Sequence, residues 1–206
     1  MSQFFQVHPD NPQLRLIRRA VEMLGEGAVI AYPTDSSYAL GCLIGDKQAM
    51  DRIRNIRQVD NSHNFTLVCR DLSEISTYAK VDNIAYRMVR KLAPGSYTFI
   101  FKATHEVPRR LQHPKRKTIG IRIPDNAVVH ALLDELGEPI MSSTLILPGD
   151  ELPMTEPYEM RERLQHEVDL VIDGGNCGFE ATSVIDFQEG SPVVIRHGRG
   201  DVSLIE

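Results

Sequence analysis

Apolar and polar positions along this 206-residue chain follow two periods, and the pattern switches repeatedly between them. Asn11-Pro12 reads as an N-cap followed by proline in the first helical turn. Leu14, Ile17, Val21 and Leu24 then recur at helical spacing until Gly25 stops the run. Residues 27–32 are continuously apolar, the pattern of a strand buried on both faces. Asp46 stands where a second helix needs a cap, with Ala49, Met50, Ile53 and Ile56 inward and Arg52, Arg54 and Arg57 outward. A loop at 61–64 leads into a strand at 65–69. Asp71 and Asp82 predict two more caps, the second helix burying Ile84, Met88 and Leu92.

Pro94-Gly95 is a strong turn signal, and the aromatic and β-branched run at 97–103 predicts a strand after it. Further strands are expected at 118–123, 139–146, 168–173, 182–187 and 193–196. A helix from Asp125 to Gly137 and a short one ending near His166 lie among them. Helices alternate with strands for most of the length, and strands dominate the end. The fold class this predicts is α/β, one domain over residues 1–206, with a twisted mixed sheet and flanking helices. There is no internal repeat, low-complexity segment or linker.

The apolar run at 27–32 ends in Pro33-Thr34-Asp35-Ser36-Ser37-Tyr38, which puts hydroxyls and a carboxylate at a strand end. That is where open α/β sheets bind ligands. The same residues also suit a turn whose side chains cap backbone groups. Pro33 to Gly41 resembles the opening Pro-Thr-(Asp/Glu)-(Thr/Ser)-x-Tyr-(Gly/Ala)-Leu-Gly motif of the YrdC/YciO family, and the resemblance is nearest to the YciO branch. It continues in the family's order. Arg57 matches the arginine of a Lys-x-Arg pair whose lysine position holds Asn55. Pro94-Gly95-Ser96-Tyr97-Thr98 resembles the Pro-Gly-Pro-x-Thr turn, and Gly120 to Pro124 resembles a strand ending Arg-x-Pro. Ser142-Ser143-Thr144-Leu145-Ile146 stands where the family has Ser-Thr-Ser-Ala-Asn, with Ile146 in place of the asparagine. Thr182 to Asp186 and Arg196-His197-Gly198 resemble its closing motifs.

The resemblance implies a YrdC-like fold with a positively charged concave face. It implies kinship with threonylcarbamoyl-AMP synthases, which join ATP, L-threonine and bicarbonate into an adenylate that later modifies tRNA. Carried over by position, Thr34, Tyr38, Asn55, Arg57, Arg122, Ser143, Thr144, Ser183 and Arg196 are the expected substrate and nucleotide contacts. Mg²⁺ is expected to accompany ATP. Asn55 and Ile146 lack the charge and the amide found in the synthases, so weak activity or a shifted substrate is expected. Asp186 reads as a turn cap, and His197 is a poor candidate for a base.

Composition narrows the alternatives. A net charge of −5 argues against a general nucleic-acid coat. Yet residues 107–124 contain no acid and carry Arg109, Arg110, Lys115, Arg116, Lys117 and Arg122, while 150–169 is mostly acidic. A module that binds double-stranded RNA or tRNA through the basic face is therefore the rival expectation. No P-loop, dinucleotide fingerprint, Gly-x-Ser-x-Gly or zinc spacing occurs, so a protein-ligated metal is not expected. The three cysteines, Cys42, Cys69 and Cys177, are scattered and suit a reducing, cytoplasmic setting. No apolar stretch is long enough for a membrane span.

Overall fold

Residues 27–32 are apolar without alternation because they are covered from two sides. In a computed structural model, which describes residues 1–60 and 63–205, Ile30 and Tyr32 pack into one hydrophobic cluster while Val29 and Ala31 pack into another. The strand is β2 (Ile30–Tyr32), shorter than the apolar run. The first cluster holds α1 (Leu14–Gly25) and α5 (Ala127–Leu136) against the sheet. The second holds α2 (Lys47–Arg57), α3 (Leu72–Tyr78), α4 (Asn83–Leu92) and α6 (Pro157–Leu164). The sheet is thus the middle of a layered α/β molecule.

The other strands are β1 (Gln3–Gln6), β3 (Ala39–Leu43), β4 (Thr66–Val68), β5 (Tyr97–Lys102) and β6 (Thr118–Arg122). They continue with β7 (Ile140–Thr144), β8 (Leu170–Asp173), β9 (Ser183–Asp186) and β10 (Val193–Arg196). All belong to one mixed sheet in the order β1-β8-β2-β3-β7-β4-β6-β5-β9-β10. β1 and β2 run parallel to β8, β4 to β6 and β5 to β9; the remaining pairings are antiparallel. No helix among the described residues is long and apolar enough to cross a membrane.

The caps at Asp46, Asp71 and Asp82 form as expected, each carboxylate accepting from the backbone N–H three residues on. Other expectations need correction. α1 starts at Leu14, because His8 holds the preceding segment in a turn: its Nδ1 accepts from the N–H groups of Asp10 and Asn11. Asn126 caps α5 in place of Asp125, whose N–H is bound to Asp35. α4 buries Ala85, Val89 and Leu92 and leaves Ile84 exposed. Arg54 does not face outward: it is buried, with its guanidinium 5.1 Å from the Phe65 ring centre and bound to Asp51. β1 and β3 lie where no strand was predicted; β3 follows the polar turn directly and pairs with β2. Part of the predicted loop at 61–64, residues 61 and 62, lies outside the described residues.

Candidate functional site: a cationic cleft over a floor of hydroxyls

Alternation along the central strands builds one polar surface. In β5, Phe99 and Phe101 enter the core while Thr98 and Ile100 face a cleft; in β6, Ile119 and Ile121 enter the core while Thr118, Gly120 and Arg122 face it. Thr66 of β4 lies opposite Gly120, and Thr98 of β5 lies opposite Val184 of β9, so neighbouring strands present the same face. The cleft above them has a volume of about 980 Å³. A Cβ on Gly120 would come within 3.0 Å of the Thr66 side chain and 3.3 Å of Thr98, so a larger residue at this floor position would push on both threonines.

Arginines stand around the floor, and their partners differ. Arg122 is buried and donates to Asp35 Oδ1 at 2.6 Å and to Ser36 Oγ at 3.0 Å, so its charge is already matched. Its Nε is buried without a partner among the described residues. Arg196, at the end of β10, donates from Nε to the Thr182 carbonyl at 3.0 Å and from Nη2 to Thr182 Oγ1 at 3.1 Å. Thr182 Oγ1 in turn lies 2.8 Å from Thr98 Oγ1. Arg57, in the last turn of α2, donates from Nη1 to Ser143 Oγ at 2.5 Å and from Nε to the Ile146 carbonyl at 3.4 Å.

Among the described residues neither Arg57 nor Arg196 has a carboxylate within ion-pairing distance. Burial lowers the pKa of both, and the neighbouring charge of Arg122 lowers that of Arg196 further. A desolvated cation with no counter-charge favours an anionic ligand. His63 completes the Arg57 end. Its Nε2 lies 3.0 Å from Arg57 Nη1 and 3.1 Å from Ser143 Oγ, and its ring meets Phe65 edge-on. Burial, then Arg57 and Arg54, push its pKa below the ordinary histidine value, against a smaller opposing effect of Asp60.

Of the residues expected from sequence, Arg57, Arg122, Ser143, Thr144 and Arg196 line the cleft together. Four do not line it. Thr34 is fully buried: its Oγ1 donates to the Ser37 carbonyl and accepts from the N–H groups of Ser36 and Ser37, so it staples the polar turn. Tyr38 is buried, with its hydroxyl donating to the Gly175 carbonyl and accepting from Gly174 N–H. Ser183 donates to the Gly200 carbonyl and accepts from Gly198 N–H, which ties down the end of the chain. Asn55 is exposed on the outer face of α2. Asp186 accepts from Gln188 N–H and caps its turn.

His63, Thr66, Thr98 and Thr182 are cleft residues outside the expected contacts, although Thr98 and Thr182 stand in the motifs that carry the resemblance. For the three threonines the signal was there: each is a hydroxyl among apolar residues on a predicted strand or next to it. His63 had no comparable signal. Of the basic segment, Arg116 and Arg122 line the cleft together with the neighbouring His113; Arg109 and Arg110 are not among its lining residues, and Arg110 is bound to the Gly45 carbonyl. The cysteines are held as thiols: burial pushes Cys42 up to about 12 and Cys177 up to about 11.

Residues 22–198 match the model of the Sua5/YciO/YrdC family, described as telomere recombination. The chain is 58% identical over 202 residues to protein YciO of Escherichia coli (strain K12), covering 98% of both chains. The crystal structure of E. coli YciO superposes with a TM-score of 0.95 at 57% identity, over the full length of each chain. A putative threonylcarbamoyl-AMP synthase of Methanocaldococcus jannaschii is 28% identical over 173 residues, 84% of this chain and 80% of that one. The structure of P. abyssi Sua5 complexed with L-threonine shares the fold, with a TM-score of 0.87 at 24% identity, over 96% of this chain and 58% of that one.

Proposed function

The chain belongs to the Sua5/YciO/YrdC family, and from that membership we propose that its cleft binds ATP and a carboxylate co-substrate and forms an acyl or carbamoyl adenylate. The observation that carries this reading is the half-buried Arg57 and the more exposed Arg196, which among the described residues have no carboxylate partner, above a floor of hydroxyls. Adenylate formation asks little covalent chemistry of a protein. With L-threonine and bicarbonate, the amine nitrogen attacks the bicarbonate carbon and water leaves. A carbamate oxygen then attacks the α-phosphorus and pyrophosphate leaves. What the protein supplies is alignment and positive charge where negative charge gathers. Arg57 and Arg196 provide planar donor forks for carboxylate or phosphate, and Ser143, Thr144, Thr98 and Thr182 provide hydroxyls to orient the ligand.

Mg²⁺ would enter on the phosphates, neutralising them and keeping most of its own water. The donor set suits an ion carried that way: the cleft wall offers hydroxyls and the carboxylates of Glu151 and Glu180, and no group of three metal-binding side chains occurs among the described residues. Ile146 contributes its backbone carbonyl to Arg57, while its side chain has no hydrogen bond to offer. Losing one charge-assisted hydrogen bond slows or weakens a site by roughly 10- to 150-fold, so turnover with L-threonine is expected to be slow.

The test is to incubate the protein with ATP, L-threonine, bicarbonate and Mg²⁺ and look for threonylcarbamoyl-AMP by mass spectrometry. Parallel reactions replace threonine with other amino acids. Product from any of them, lost in Arg196→Ala, supports the reading; no adenylate with any substrate and no ATP binding rejects it. A second reading, RNA binding, is favoured by the exposed Lys115, Arg116 and Lys117 beside the rim. RNA binding through that segment is expected to weaken steeply with added salt, whereas ATP in the cleft is less sensitive.

A further inference from the structure

His63 and Arg57 meet in a way that only one protonation state allows. Arg57 Nη1 can only donate, so the His63 Nε2 that lies 3.0 Å away is the acceptor and the imidazole is neutral. The same Nε2 lies 3.1 Å from Ser143 Oγ, which also receives Arg57 Nη1 at 2.5 Å. If Nε2 took a proton, two donors would face each other. Arg57 would then have to turn away, and Ser143 Oγ would remain as the acceptor for the new N–H.

We propose that His63 is a proton-coupled positioning residue of the anion site: as a neutral acceptor it parks Arg57, and when an anion draws Arg57 away it takes up a proton. The proposal rests on the reading that Arg57 faces an anionic ligand. The charged and titratable groups around the ring are Arg57 and Arg54 of α2 and Asp60 beyond it; β7 and β4 contribute the neutral Ser143 and Phe65. Burial disfavours a charged ring in the free protein, and the two arginines add to this. A bound anion offsets the arginine charge and favours the charged ring. Protonated His63 then adds a second positive charge beside Arg57, so each proton gained tightens the grip on the anion. By linkage, the pH at which His63 titrates must rise when the anion binds.

Sulfate is a suitable probe because it keeps one charge state between pH 5.5 and 8. The His63 ring signal is followed by NMR across that range at matched ionic strength, with chloride or with saturating sulfate. His63→Gln identifies the signal, since the amide keeps hydrogen-bonding capacity and cannot titrate. The expected result is a midpoint below that of an exposed histidine in chloride and an upward move in sulfate. A move of one pH unit corresponds to about tenfold tighter sulfate binding by the protonated form. In His63→Gln the sulfate affinity should depend less on pH than in the wild type, His113 and His197 of the same cleft being common to both. Sulfate binding that depends on Arg57, with the His63 midpoint unmoved, overturns this inference and leaves the anion site standing. No sulfate binding, or binding that survives Arg57→Ala unchanged, overturns both.

Discussion

Arg122 Nη2 lies 2.6 Å from Asp35 Oδ1, and each of the two side chains is only 7% exposed. The second oxygen of Asp35 accepts from Asp125 N–H, and the Asp35 carbonyl accepts from Ser96 Oγ. One aspartate therefore joins the polar turn, the end of β6 and the segment entering α5.

Removing that carboxylate strands a buried cation. Asp35→Ala is expected to cost about 3–5 kcal/mol of folding stability, because the guanidinium loses its counter-charge and the Asp125 N–H loses its acceptor. Urea unfolding measures this; a loss under 1 kcal/mol would show that Arg122 can reach solvent.

Arg57→Ala and Arg196→Ala each delete a charged donor that faces the cleft without a carboxylate partner among the described residues. Each is expected to weaken ATP binding by roughly 10- to 150-fold with little loss of stability. Titration calorimetry reads the affinity, and wild-type affinity in both variants would remove these residues from the site.

The pH dependence of stability follows from the lowered pKa of His63. The unfolded chain binds this proton more readily than the folded one, so stability is full above the unfolded value of about 6.5 and falls as pH drops below it. Urea midpoints at pH 7.5 and 5.5 should therefore differ more in the wild type than in His63→Gln. Equal differences would mean that the folded ring titrates like a free one.

A Cβ on Gly200 would lie 2.4 Å from Tyr97 Cε1, and the Tyr97 hydroxyl donates to the Asp201 carbonyl just beyond. Gly200→Ala is expected to destabilise by about 1–3 kcal/mol through overpacking. Because the two residues touch, Gly200→Ala combined with Tyr97→Ala should cost less than the sum of the single changes. Thermal unfolding of the three variants provides the cycle.

The lesson of Ser183 and Thr182 is one of neighbours. Both were hydroxyls on a predicted strand, and period-two alternation assigns them to opposite faces. Which face was the cleft could not be read, because that depends on the segment returning seventeen residues later to place the Gly200 carbonyl over Ser183. Arg57 and Ser143, whose contact lies 86 residues apart in the chain, pose the same difficulty over a longer reach. Thr34 differs: its partners are two and three residues away, and the turn-cap reading was available from local spacing.

Local interactions made the helices, the caps at Asp46, Asp71 and Asp82, most of the buried strands and the family motifs legible, since each depends on residues within a turn or a strand of one another; β3 was missed. The sequence also determined that arginines and hydroxyls recur near strand ends. Only the tertiary structure decided which of those charges are spent and which stay available. Asp35 reaches Arg122, while among the described residues no carboxylate reaches Arg57 or Arg196. The physical reason is that the electrostatic state of a buried group is set by what lies within a few ångströms of it, and distance along the chain does not report distance in space.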